Sequence, residues 1–191
     1  MLSFADSLGL PDVAAFAPEA ADRSWWPVSF LAPFSALEPW LGSAVAAVDR
    51  AVAAIIEEGF ERERIALLGF SQGGCLALEA AARQGGPLGA LIGLSSALVG
   101  TSEAPAGPLV RGYPDKSLTY GGRLDGVPAY LSCHEDDPHI PLSRLRATGD
   151  ALSAIGADVR LRLKQGQGHG IDDQDLANIR SLLNRPDPEA P

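Results

Sequence analysis

The stretch Arg64–Ala82, RIALLGFSQGGCLALEAAA, decides how the rest of the chain is read. Ile65 to Leu68 is a short apolar run of the kind that forms a buried strand. Gly69-Phe70-Ser71-Gln72-Gly73 then fits Gly-x-Ser-x-Gly, and a helix-forming segment with almost no charge begins at once. Strand, sharp serine-bearing turn and helix are together the setting of a nucleophile elbow. Such a turn holds its serine in a strained conformation, so the residues two before and two after Ser71 must be small for strand and helix to approach closely. The free N–H groups of the helix start then face any developing negative charge. By itself the motif also describes a glycine-rich turn with an ordinary serine. The strand before it and the helix after it favour the elbow.

The 191 residues suit one domain with a sizeable core, and 46% hydrophobic with 20% charged residues is an ordinary globular composition. A formal net charge of −9 disfavours nucleic acid or an anionic membrane as partner. Cys75 and Cys133 are the only cysteines, without metal-ligand spacing, and read as buried thiols in a reducing cytoplasm rather than a disulfide. No leader-like segment is recognisable and no apolar run is long enough to span a bilayer, so the expected location is cytoplasmic, without stable membrane insertion.

Helical spacing over Met1–Leu8 places the chain's start inside a helix. Val13 to Ala17, between Pro11 and Pro18, reads as a strand. Residues 19–39 form a long loop rich in aromatics and proline, in which Trp25 and Trp26 are candidates for lining a substrate pocket or for packing over the sheet edge. Leu41, Val45, Val48, Val52 and Ile55 predict a helix that Gly59 ends. Further strands are expected over Leu88–Leu94, Val127–Ser132 and Val159–Leu163. Further helices are expected over Leu142–Ile155 and after Asp172 or Asp173, with a frayed tail from Arg185. Residues 97–124 carry no clear element. The alternation of strand and helix predicts an α/β fold, a mostly parallel sheet covered on both faces.

A serine hydroxyl needs an adjacent base, itself oriented by a carboxylate. Beyond Ser71, an acid placed just after a strand is Asp136 or Asp137, with Asp137, before Pro138, preferred. A histidine after the final strand is His169, in Gly166-Gln167-Gly168-His169-Gly170. Read alone, His169 is an ordinary solvated loop histidine. Chain order, and the position of each residue past the C-terminal end of a strand, turn the reading towards a site.

Gly69-Phe70-Ser71-Gln72-Gly73-Gly74, Asp137-Pro138-His139-Ile140-Pro141 and Gly168-His169 resemble the phospholipase/carboxylesterase family of α/β-hydrolases, which includes acyl-protein thioesterases and small bacterial carboxylesterases. Ala17-Pro18-Glu19-Ala20, Trp25-Trp26-Pro27 and Ser29-Phe30-Leu31-Ala32-Pro33 resemble its bacterial branch. The resemblance spans essentially the whole chain. It implies Ser71 as nucleophile, Asp137 as orienting acid, His169 as general acid/base, and the Gln72 backbone N–H as one oxyanion donor. It implies a small ester or thioester substrate and no metal or organic cofactor. The family's His-Gly-x-Gly-type loop, which follows a strand and supplies a second oxyanion N–H, has no match in residues 1–12. The expectation is therefore a sequence that starts downstream of that loop, or a shortened member with a rearranged sheet and reduced activity, prone to self-association. Against the serine hydrolase stands a relic that keeps the pocket and binds a small ligand or partner without turnover.

Overall fold

A computed structural model describes residues 2–101, 109–110, 113–114 and 118–184. The chain opens with α1 (Leu2–Ser7), then a long loop holding a 3₁₀ turn (Ala21–Arg23) and the single turn α2 (Phe34–Leu37). Next come α3 (Trp40–Glu57), β1 (Ala66–Phe70), α4 (Gln72–Gln84) and β2 (Ala90–Leu94). Two short segments, β3 (Leu109–Val110) and β4 (Tyr113–Pro114), pair antiparallel within the region that the sequence left unassigned. β5 (Pro128–Asp136), α5 (Leu142–Ala154), β6 (Asp158–Gln167) and α6 (Asp173–Leu183) complete the order. The expected fraying from Arg185 lies outside the described residues.

β1, β2, β5 and β6 form one sheet in that order, and every pairing is parallel. Side chains alternate across it, as a strand period of two requires. Ala90, Ile92 and Leu94 join Tyr130 on the face covered by Leu8, just past α1, and by Ile179 of α6. Leu91, Ala129, Leu131 and Cys133 face the larger core formed with α3, α4 and α5. α4 lies between the sheet and α3, so Gly74 through Ala82 are all buried. That position explains its nearly chargeless sequence, since a helix enclosed on all sides has no solvent face to decorate. Among the buried residues of α4, Glu79 is the charged exception. Fully buried, its carboxylate accepts from the Arg83 side chain at 2.8 Å, the Val99 N–H at 3.0 Å and the Tyr120 hydroxyl at 2.8 Å.

α3 buries Leu41, Ala44, Val48 and Val52, one stripe at helical spacing, and Gly59 follows its end at φ +98° as a left-handed stop. α6 starts on a capping box in which Asp172 and Asp175 each accept the other's backbone N–H. No helix of the described residues is long and apolar enough to cross a membrane.

Three expectations change. Val13–Ala17 forms no strand: residues 13–20 carry no regular element, Val13 and Phe16 are 42% and 51% exposed, and Phe16 meets Phe60 edge to face. An apolar run becomes a strand only where a neighbouring ladder receives its N–H and C=O groups. Here the described sheet ends at β1. β5 and β6 also run further than the apolar patterns predicted, to Asp136 and Gln167, with polar residues continuing the pairing past the core. Cys133, one residue past the expected strand end at Ser132, therefore sits buried within β5; it and Cys75 are free thiols.

Candidate active site

Ser71 joins the last residue of β1 to the first of α4 at φ +52°, ψ −125°, far from the conformations an L-residue prefers. Its N–H donates to the Leu94 carbonyl of β2 at 2.9 Å, and its carbonyl accepts the Cys75 N–H at 2.9 Å. The turn is thus pinned to the neighbouring strand and to its own helix. A Cβ at Gly69 would stand 2.2 Å from the Gly73 carbonyl oxygen, so the residue two before the serine must be glycine. The matching expectation for Gly73 fails, because a Cβ there meets nothing within 4 Å. The second close approach belongs to Gly74, whose Cβ would stand 2.5 Å from Ser96 Oγ and 2.8 Å from the Gly69 carbonyl oxygen.

His169 reaches over this elbow from the loop after β6. Its Nε2 lies 2.9 Å from Ser71 Oγ, and its Nδ1 lies 2.8 and 3.0 Å from the two carboxylate oxygens of Asp137. Asp137 is buried one residue beyond β5, whereas Asp136 is exposed, pairs in register with Gln167, and takes no part in this arrangement. Burial pushes the Asp137 carboxyl up, but the N–H groups of His139 (2.8 Å) and Ile140 (3.0 Å), together with His169, outweigh it and hold the group below the usual carboxylate value. Asp137 is therefore an anion at neutral pH. With the carboxylate accepting, the bonding pattern assigns the ring proton to Nδ1 and leaves Nε2 to accept from the serine hydroxyl.

Other neighbours fix the site without having been legible as parts of it. The Cys133 thiol lies 3.3 Å from Asp137 Oδ2; burial, with the Asp137 charge, pushes it up to about 12, so it remains a donor. The imidazole is flanked by Phe70 and His139, with ring centroids 5.0 and 4.7 Å away. Gln72, read from sequence only for its backbone, also works through its side chain. Its Oε1 accepts the Trp25 N–H and its Nε2 donates to the Trp26 carbonyl, both at 2.9 Å. The aromatic loop is thereby tied to the first residue of α4. As that first residue, Gln72 has a backbone N–H that the helix itself leaves without a partner.

Beside Ser71 opens a cleft of about 290 Å³. Trp26, Val28, Phe30 and Ile140 line it on the apolar side, with Ser29 and His139 as polar groups in the wall. The two tryptophans part company here. Trp26 is 2% exposed, so it belongs to the core and to the cleft wall at once, whereas Trp25 is half-buried against the core and does not line the cleft.

Parallel strands sandwiched by helices, with a strained serine turn and a histidine loop at the carboxyl ends of the strands, define the α/β-hydrolase fold. A family model for phospholipase/carboxylesterase proteins matches residues 17–185, and the chain belongs to that family. It is similar to a phospholipase/carboxylesterase of Dyadobacter fermentans of known crystal structure, with a TM-score of 0.82 and 30% identity over 96% of this chain and 82% of the other. The structure of esterase PE8 superposes with a TM-score of 0.64 at 25% identity, covering 87% of this chain and 74% of its own. Acyl-protein thioesterase 1 of Gibberella zeae is 29% identical over 130 residues, which are 68% of this chain and 51% of that protein. The chain therefore spans about half the length of this relative.

Proposed function

We propose that the chain is a serine hydrolase that cleaves carboxylic esters or thioesters through an acyl-enzyme. The observation that carries this reading is the unbroken line Asp137–His169–Ser71, with contacts of 2.8 and 2.9 Å, opening on an apolar cleft. Ser71 Oγ attacks the acyl carbon as His169 Nε2 takes the hydroxyl proton. The tetrahedral intermediate carries its negative charge on the former carbonyl oxygen, which the Gln72 N–H meets at the start of α4. Collapse expels the alcohol or thiol, to which His169 returns the proton. His169 then takes a proton from water as its oxygen attacks the acyl carbon, and returns that proton to Ser71 Oγ as the ester bond breaks and the acid leaves. Asp137 holds the imidazole in the required tautomer and balances its charge while protonated. The cleft's modest volume and apolar wall suit a short to medium acyl chain. Two free, buried cysteines fit a reducing compartment, and we assign the chain to the cytoplasm.

The direct assay follows release of aryl alcohol from acetate and butyrate esters, and of thiol from the matching acyl thioesters. Turnover of at least one class, with an initial burst approaching one equivalent of leaving group where deacylation is slower, is expected. Failure to turn over any of them would leave the cleft to a non-catalytic, ligand-binding role.

A further inference from the structure

The loop that carries His169 has a built anchor outside the catalytic line. Gly166, Gly168 and Gly170 surround the histidine, so the sequence alone gives this loop wide conformational freedom. It leaves β6 through an irregular step in the ladder: His134 pairs with Lys164, and Asp136 with Gln167. Two residues of β5 thus face three of β6, and Gly166 takes φ +76° within the added length. The cross-strand pair just before this bulge grips the loop on both sides of His169. A Cβ on Gly168 would stand 2.7 Å from His134 Nε2, so the loop lies directly on that ring. On the other side, Lys164 Nζ donates to the Gly170 carbonyl.

Lys164 has no slack in this position. It is 5% exposed, and its ammonium also bonds Asp175 Oδ2 at 2.8 Å. Asp175 is fully buried and held in turn by Arg162 and the Tyr130 hydroxyl, each at 2.8 Å; Asn178 donates to that hydroxyl at 2.9 Å. Charge-assisted bonds between buried partners are strong and geometrically strict. The N-terminus of α6, the end of β6 and the histidine loop are therefore one hydrogen-bonded unit.

We propose that Lys164, seated by Asp175, is a positioning residue for His169: its bond to the Gly170 carbonyl fixes the glycine-rich loop so that Nε2 meets Ser71 Oγ. The inference rests on the hydrolase reading for its consequence on rate, but not for its consequence on the loop. Misplacing a catalytic group by about 1 Å costs on the order of 10²-fold in rate. Lys164→Met removes the donor at similar length, and Lys164→Gln keeps an uncharged one.

The test compares both variants with the intact chain, below the melting temperature of each, in ester turnover and in the proton spectrum. The resonance to follow is the His169 Nδ1 proton, assigned by its disappearance in His169→Ala. Lys164→Met is expected to lose about 10–100-fold in kcat with KM within about twofold, and to broaden or shift that resonance. Lys164→Gln should recover a clear part of both. If Lys164→Met does not fold, Asp175→Asn provides the second route: it unseats the ammonium and should produce the same broadening with a smaller loss of kcat. A folded Lys164→Met with an unmoved resonance and near-normal kcat would overturn the proposal, as would Lys164→Gln behaving no better than Lys164→Met. An intact chain that turns over no ester defeats the hydrolase reading alone, because the resonance still reports whether Lys164 fixes the loop.

Discussion

Ser71→Ala is expected to lower kcat for an aryl acetate by about 10⁵–10⁶-fold, to the level of residual binding and oxyanion effects, while the fold persists. The size follows from covalent chemistry: without Oγ no acyl-enzyme forms, and His169 has no hydroxyl to deprotonate. Persistence of the fold follows from what the side chain does not do. Although Ser71 precedes α4, its hydroxyl makes no capping bond to the helix. Among the described residues, the side-chain hydrogen bond lost is the one to His169, and alanine keeps the same Cβ in the same strained turn. Circular dichroism and melting temperature should therefore barely move. A variant retaining half the rate would remove Ser71 from the mechanism.

Asp137→Asn is expected to lower kcat by about 10⁴-fold, more than its small change of shape suggests. Oδ1 is committed to the N–H groups of His139 and Ile140, so an asparagine keeps its oxygen there and turns its NH₂ towards His169 Nδ1. A donor at that position forces the ring proton onto Nε2, which then faces Ser71 as a donor and cannot take the hydroxyl proton. His169→Ala should be at least as severe. The double variant should lose far less than the product of the two single losses, because the three residues act as a unit. The exposed Asp136 is the internal control, and Asp136→Asn should stay near the parent rate. A severe Asp136→Asn with a mild Asp137→Asn would reverse the assignment of the acid.

These residues could be read from sequence because the signals that mark them are local. Gly69 and the apolar Ile65–Leu68 run encode the elbow within a few residues. Asp137 and His169 stand out by chain order and by their place after strands. What escaped depends on partners distant in sequence. Val13–Ala17 has the composition of a strand, but among the described residues no ladder stands beside it. The polar ends of β5 and β6 carry no apolar alternation, and only their mutual pairing makes them strand. Gly74 rather than Gly73 is the tight position because Ser96, beyond β2, lies against it. The side chain of Gln72 takes its role from Trp25 and Trp26, 47 and 46 residues away. Lys164 and Asp175 look like ordinary surface charges in one dimension. Their burial against each other shows only when β6 and α6 are packed together.

The most direct measurement treats the protein with a fluorophosphonate probe and locates the adduct by mass. Cleavage after Arg64 and Arg83 releases residues 65–83, a peptide whose single serine is Ser71. The Asp137–His169–Ser71 mechanism predicts one stoichiometric adduct on that peptide, absent in Ser71→Ala and formed at least about 10³-fold more slowly in His169→Ala. A peptide that stays unmodified, or one labelled just as fast without His169, would contradict it.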